Sequence, residues 1–357
     1  MTNYLLAGGG TAGHVNPLLA LADYIRSQEP DSKIICLGTA EGLESRLIPQ
    51  RGYELSVIAR LPFPRRLGMY ALKFPLAYAR ELAKVRKLIR DNQIDVVVGF
   101  GGYASAPAYD AAAALSVPFV VHEANALPGM ANLRGSKKAA AVAVAFPTRK
   151  LAGATHVGMP LRVEIENLPR NHSAAEARKH FGLKPDAFTL LVTGGSLGAK
   201  RINDTIEKSR TALSAAGVQV LHIVGDRSDL EPVSQSDYVR IRYCDRMDLA
   251  IAAADFAVAR AGASTISEFA AVGLAAAYVP YAVGNGEQAL NVSSLIEAEA
   301  SIMVKDAEFT PAWVSEKLIP VLSNAKLISA MRGKLADLGI IDGSKRLYEV
   351  VRGVLKP

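Results

Sequence analysis

The 357-residue sequence predicts an α/β protein of two doubly wound, Rossmann-like halves facing a cleft, and three observations carry that prediction. The length is about twice that of a typical domain. Half the residues are hydrophobic and 21% are charged, with 29 Gly and 18 Pro, which excludes disorder, collagen and coiled coil. Finally, a strand, a glycine loop and a helix follow one another twice, half a chain apart.

In the first half, Tyr4 to Ala7 is a short apolar strand running into Gly8-Gly9-Gly10-Thr11-Ala12-Gly13. Asn16-Pro17 then reads as an N-cap and first-turn proline opening a helix. Lys33 to Leu37, Ile94 to Gly99 and Pro118 to His122 follow as strands separated by helical or loop stretches, the order of a parallel sheet with helices on both faces. The pattern restarts with strand Thr189 to Val192, a second loop Gly194-Gly195-Ser196-Leu197-Gly198, a helix Ala199 to Ala216 and strand Val218 to Val224. The join is expected near Gly158-Met159-Pro160, giving domains 1–160 and 161–340, with a C-terminal helix of about 341–357 packing back on the first. The cleft between the halves is the default ligand site.

Charge separates the halves further. Of the net +7, all lies in residues 1–160, which hold 18 Lys and Arg against 11 Asp and Glu, while the remainder has 23 of each. Arg60 to Arg90 alone carries nine basic residues and one acid, Glu81. Leu61, Phe63, Leu67, Met69, Tyr70, Leu72, Phe74 and Leu76 are interleaved with the first of them, a mixture that suits an anionic membrane surface over Leu61–Leu76. A solvated basic face is the plainer alternative there. It is also the reading of the stretch beyond, where Tyr78, Leu82, Val85 and Ile89 share one helical face with Arg80, Lys84 and Lys87 opposite. Nucleic acid is not an expected partner, since no binding signature and no regular stacking aromatics accompany the charge. The N-terminus has no basic leader before its apolar run, and no segment reaches the roughly 20 apolar residues a membrane span needs. Cys36 and Cys244 match neither a metal spacing nor a disulfide framework, which suits a reducing compartment.

The glycine loops are the first candidates for chemistry. Gly8, Gly10 and Gly13 satisfy GxGxxG, but the second strand lacks an acid at its end, where Leu37 is followed by Gly38-Thr39-Ala40 before Glu41. That weakens a nicotinamide dinucleotide site, and two loops instead suggest two phosphorylated ligands held at helix N-termini. His14, just after the first loop, has the pKa range of a general base, or it only orients the loop. His122-Glu123-Ala124-Asn125 ends a strand where open sheets hold ligands. Arg260 to Glu268 follows the strand Phe256 to Ala259 and opens a helix. Within it Thr265-x-x-Glu268 reads as a capping box, which would make Glu268 structural. Gly284-Asn285-Gly286-Glu287-Gln288 is a polar turn suited to hydroxyl-rich ligands. No D-x-D pair and no His/Asp cluster at metal spacing occurs, so neither a catalytic metal nor another cofactor is expected.

Six segments together are far more specific: GGGTAGHVNP (Gly8 to Pro17), GFGGYASAP (Gly99 to Pro107), HEAN (His122 to Asn125), TGGSLGA (Thr193 to Ala199), RAGASTISE (Arg260 to Glu268) and GEQALN (Gly286 to Asn291). Through them the sequence resembles, over nearly its whole length, the MurG family of bacterial peptidoglycan N-acetylglucosaminyltransferases. The resemblance implies a GT-B fold and metal-independent transfer of GlcNAc from UDP-GlcNAc to lipid I, with the N-terminal half docked on the cytoplasmic membrane face beside other wall-synthesis proteins. It implies His14 as base, with Gly10, Thr11, His14, Tyr103 and Asn125 on the acceptor side. For the donor it implies Thr11, Gly13 and Asn125, Arg162 and Ser196 at the diphosphate, the Cys244 backbone at uracil, Glu268 at ribose, and Ala263 and Gln288 at GlcNAc. Two positions depart from the family: Met159 stands where Gly-Asn-Pro is frequent, and Glu287-Gln288 replaces a Gln pair. A nucleotide-sugar binder that has lost transfer, or a transferase with another acceptor, is the alternative on the same fold.

Overall fold

The computed structural model describes residues 1–64, 66, 68–168, 173–282 and 286–355; Arg65, Leu67, Gly284 and Asn285 of the sequence reading lie outside them. The chain forms two compact units, Met1–Val163 with Asp342–Pro357, and Glu164–Ile341.

The first unit is a parallel sheet of β1 (Asn3–Ala7), β2 (Lys33–Thr39), β3 (Glu54–Ile58), β4 (Val96–Gly99), β5 (Phe119–Glu123), β6 (Ala141–Val144) and β7 (Thr155–His156). Its order, β3-β2-β1-β4-β5-β6-β7, reverses between β1 and β4, the place where open sheets bind ligands beyond their carboxyl ends. The central strands are nearly all apolar because helices cover both faces. Leu18, Leu21 and Ile25 of helix Ala12–Gln28 cover one face with Leu347 and Val351 of helix Gly343–Val354. Val85 and Ile89 of helix Met69–Asp91 cover the other with Ala108, Ala111 and Ala112 of helix Ser105–Ala114. Leu347 and Val351 are fully buried, each contributing about 1.5–3 kcal/mol, so the C-terminal helix belongs to this unit's core.

The second unit repeats the plan with β8 (Thr189–Thr193), β9 (Gln219–Ile223), β10 (Val233–Gln235), β11 (Tyr238–Ile241), β12 (Phe256–Ala259), β13 (Ala276–Tyr278) and β14 (Ile302–Met303). Its order is β10-β11-β9-β8-β12-β13-β14, with β10 alone antiparallel to its neighbour. Here the reversal falls between β8 and β12, again beside a glycine loop.

Three local expectations are corrected. The first helix starts at Ala12 with Thr11 as N-cap, so Asn16 and Pro17 lie inside it and His14 stands in its first turn. Backbone bonds from His14 and Val15 to the Thr11 carbonyl close that turn, and the missing N–H of Pro17 removes one bond from the next. The helix expected over Ala199 to Ala216 is two, Lys200–Lys208 and Arg210–Ala215. Ser209 at the break donates its hydroxyl to the Thr205 carbonyl at 2.8 Å, a back-bond that bends helices. Thr265 is no cap either: helix Ala263–Val272 starts after Gly262, whose extended backbone is the N-cap, so Glu268 sits in the second turn.

Candidate functional site

In the first unit two glycine turns meet beyond β1 and β4. Gly10 adopts φ +91° and Gly102 φ +79°, and a Cβ on Gly102 would fall 2.5 Å from the Gly9 carbonyl oxygen, so the turns pack backbone to backbone. The His14 ring lies between them. Its Nδ1 is 3.1 Å from the Gly9 carbonyl and 3.3 Å from the Thr11 hydroxyl. A carbonyl only accepts, so the contact to Gly9 is a hydrogen bond in the tautomer with hydrogen on Nδ1, which puts the lone pair on Nε2. That edge of the ring runs past Gly101, where a Cβ would be 3.2 Å from Nε2. Tyr103, on the same turn, is partly exposed with the Arg60 guanidinium 4.9 Å over its ring.

Of the segment ending β5, only Asn125 is not buried. His122 is sealed under Phe100, and burial pushes its pKa down to about 4. Its Nε2 lies 3.4 Å from the Gly158 carbonyl. Glu123, also buried, accepts from the Asn125 backbone N–H at 2.8 Å, from Gly129 N–H at 3.0 Å and from the Asn132 amide at 2.9 Å. It therefore shapes the loop that carries Asn125. A second carboxylate was not found by sequence reasoning. Glu44, fully buried, accepts from Gly10 N–H at 2.7 Å and from the Thr39 N–H and hydroxyl at 2.9 and 2.7 Å. Burial alone would raise its pKa, but these hydrogen bonds together bring it below the ordinary carboxylate value.

The second unit holds a cavity of about 1030 Å³, lined by the loop Gly194–Ala199, Arg260, Gly262, Thr265, Tyr281 and Gln288. Gly198 has φ +83°, and a Cβ there would meet the Val224 carbonyl at 2.2 Å, the same glycine-dependent approach as in the first unit. Arg260 is locked by the carbonyls of Val279 and Pro280 at 3.0 and 3.3 Å and by Asp306 at 2.5 Å, with Arg201 3.6 Å from the same carboxylate. Gln288 accepts from Tyr281 N–H at 2.9 Å. Ser196 and Gln288 thus line this cavity directly. Ala263 and Glu268 lie buried on the helix that starts at its wall. Cys244 is buried beyond the end of β11, next to the partly exposed Tyr243.

Gly10, Thr11, Gly13, His14 and Asn125 are therefore collected in the first unit, and Arg162 belongs there too, half-buried at its end. Met159 is buried, with Gly343 backed onto its carbonyl, where a Cβ would be 2.2 Å away. Glu287 opens helix Glu287–Glu297, where an acid complements the dipole. Phe63, Met69, Leu72 and Leu76 are 61–77% exposed around the start of helix Met69–Asp91, while its later Val85 and Ile89 enter the core. Among the described residues no helix is long and apolar enough to cross a membrane. No group of three His, Cys, Asp or Glu among them is placed to hold a metal.

Two doubly wound units, one with a histidine beside paired glycine turns and one with a cavity at a glycine loop, have the layout of an enzyme that works on phosphorylated ligands. The chain belongs to glycosyltransferase family 28, whose N-terminal domain matches residues 4–144 and whose C-terminal domain matches residues 189–347. It is a glycosyltransferase. The UDP-N-acetylglucosamine--N-acetylmuramyl-(pentapeptide) pyrophosphoryl-undecaprenol N-acetylglucosamine transferase of Leifsonia xyli is 53% identical to it, across 99% of this chain and 98% of that protein. The protein of the same name from Streptomyces coelicolor is 46% identical, across 97% and 96%. Among solved structures, Acinetobacter baumannii MurG superposes with a TM-score of 0.76 at 23% identity, covering 99% of this chain and all of that one. The spinosyn rhamnosyltransferase SpnG, complexed with thymidine diphosphate, gives 0.66 at 15%, across 98% and 100%. These structural matches share the fold, two parallel-sheet α/β units of GT-B type.

Proposed function

We propose that this chain moves GlcNAc from UDP-GlcNAc to the C4 hydroxyl of MurNAc in undecaprenyl-diphospho-MurNAc-pentapeptide (lipid I), inverting the anomeric carbon and giving the β1,4 linkage of lipid II. Identity near 50% over almost the whole chain with transferases named for that donor and acceptor supports the substrate pair. The observation that carries the chemistry is the hydrogen bond between His14 Nδ1 and the Gly9 carbonyl. With the hydrogen on Nδ1, it is Nε2 that takes the acceptor proton. The hydroxyl oxygen then forms its bond to C1 while the bond from C1 to the diphosphate oxygen breaks, and the electron pair leaves on UDP.

Charge grows on the leaving diphosphate, and backbone N–H groups of the loop at Ser196 and the helix start at Ala263, with the Arg162 cation, are suited to receive it. These donors supply what a metal provides in other transferases. The Cys244 backbone is assigned to uracil, Glu268 to the ribose hydroxyls, and Ala263, Gln288, Thr11, Gly13 and Asn125 to the sugar. Gly10, Thr11, His14, Tyr103 and Asn125 are assigned to the acceptor. Gly10 offers an open Cα face, since nothing lies within 4 Å of a Cβ built there. The exposed apolar residues of 61–76, with Arg66 and Lys73 among them, support docking on the anionic cytoplasmic membrane face where a lipid-linked acceptor lies. The test of the base is His14→Ala: turnover falls by roughly 10²-fold or more with UDP-GlcNAc affinity near normal. Unchanged turnover removes His14 from that role.

A further inference from the structure

We propose that Glu44 is a positioning residue for the transfer: its buried carboxylate fixes the first glycine loop and, through the Gly9 carbonyl, the ring tautomer of His14. This rests on the reading of His14 as the base. Glu44 is the first residue of helix Glu44–Gln50, just beyond β2, and its side chain is received by glycines from separate stretches of chain. A Cβ on Gly9, Gly38 or Gly42 would fall 2.3, 2.5 or 2.0 Å from its side-chain atoms. The sequence thus leaves three side chains out to admit one carboxylate, and the Gly10 N–H, Thr39 N–H and Thr39 hydroxyl all reach it at 2.9 Å or less.

The consequence runs along the loop. Gly10 N–H is committed to Glu44 at 2.7 Å while Gly10 holds φ +91°, which fixes the direction of the preceding carbonyl, Gly9. That carbonyl accepts from His14 Nδ1 and abuts Gly102. The first glycine loop therefore carries an anion of its own at Gly10, and a substrate phosphate is not the partner of that N–H. The loop of the second unit is built differently, with Gly195 N–H turned to the neutral Thr193 hydroxyl at 3.2 Å.

Glu44→Gln in the full chain keeps the shape but turns an NH2 group toward donors, so one contact becomes donor against donor. The expected result is a kcat lower by about 10- to 100-fold, with the KM for UDP-GlcNAc within about twofold. The acid limb of kcat/KM should also move to lower pH, because a carbonyl accepting from Nδ1–H stabilises the imidazolium. A folded Glu44→Gln protein with wild-type kcat, or with reduced kcat and an unmoved pH profile, overturns the proposal. The unmodified enzyme gives a second readout if that variant fails to fold. Its ¹⁵N spectrum with labelled histidine, the His14 signal assigned by its loss in His14→Gln, should show hydrogen on Nδ1 at neutral pH. Hydrogen on Nε2 overturns the proposal. If His14→Ala retains turnover, the base assignment itself fails; if His14→Ala is inactive while Glu44→Gln is normal, only the role of Glu44 falls.

Discussion

Gly10 and Gly102 provide a matched pair of perturbations, because both have positive φ and only one is crowded. Replacing either with Ala forces an L residue into the left-handed region, at about 1–2 kcal/mol. The lost unfolded-state freedom offsets about 0.4–1 kcal/mol of that. Gly10→Ala has nothing within 4 Å of the new methyl, so its net cost is about 1 kcal/mol. Gly102→Ala drives the methyl to 2.5 Å from the Gly9 carbonyl oxygen, where ordinary contact begins near 3.4 Å. Moving a backbone carbonyl that far adds about 1–3 kcal/mol, for a total near 2–4 kcal/mol. Thermal unfolding should then show Gly102→Ala lowering Tm by at least about 2 °C more than Gly10→Ala, at about 2–4 °C per kcal/mol. The same carbonyl holds His14, so kcat should fall with Gly102→Ala as well. Equal stability of the two variants, within about 0.5 kcal/mol, refutes the backbone packing of the two turns.

Two further outcomes follow from other parts of the molecule. Binding to anionic vesicles should weaken with added salt, and Arg66→Glu with Lys73→Glu should reduce it by about tenfold or more, at roughly 1 kcal/mol per basic residue; equal binding by the double variant contradicts membrane docking through this segment. Burial depresses the pKa of His122 from 6.5 to about 4, so above pH 6.5 the group is neutral folded or unfolded and costs nothing. As pH falls from 6.5 toward 4 the unfolded chain takes a proton that the folded one refuses, and stability drops by about 1.4 kcal/mol per pH unit, or some 3 kcal/mol in all. Urea unfolding at a series of pH values should show this slope in the wild type and less of it in His122→Gln; the same slope in both refutes it.

The parts of the fold legible in the sequence are those written locally. The apolar runs of β1, β4, β5 and β8, and the glycines after β1 and β8, each declare a strand and its turn within a few residues. The restart at Thr189 follows from the same signals. Exposure at Phe63, Met69, Leu72 and Leu76 was legible as apolar residues set among basic ones. What was hidden depends on partners distant in sequence. Glu44 reaches Gly10 across 34 residues, and only the glycines at 38 and 42, unexplained by any turn type, hinted at the space it fills. The HEAN segment read as a strand end that holds ligands, with Asn125 as the assigned contact; which of its other side chains turn inward was not legible, since the cover of Phe100 buries His122 and Glu123 turns to Asn132. Helix starts were misjudged where a residue with good capping chemistry lay one turn inside. Asn16 and Thr265 both did so, because Thr11 and Gly262 already held the extended backbone of the cap.

The most direct test of the central claim is transfer of labelled GlcNAc from UDP-GlcNAc to a short-chain lipid I analogue by the full chain in excess EDTA. The account predicts disaccharide product with β1,4 stereochemistry, undiminished relative to an assay with Mg²⁺. Product only with Mg²⁺ would contradict stabilisation of the leaving diphosphate by backbone and arginine donors. No product with or without Mg²⁺, while UDP-GlcNAc still binds, would contradict the assigned acceptor and the transfer itself.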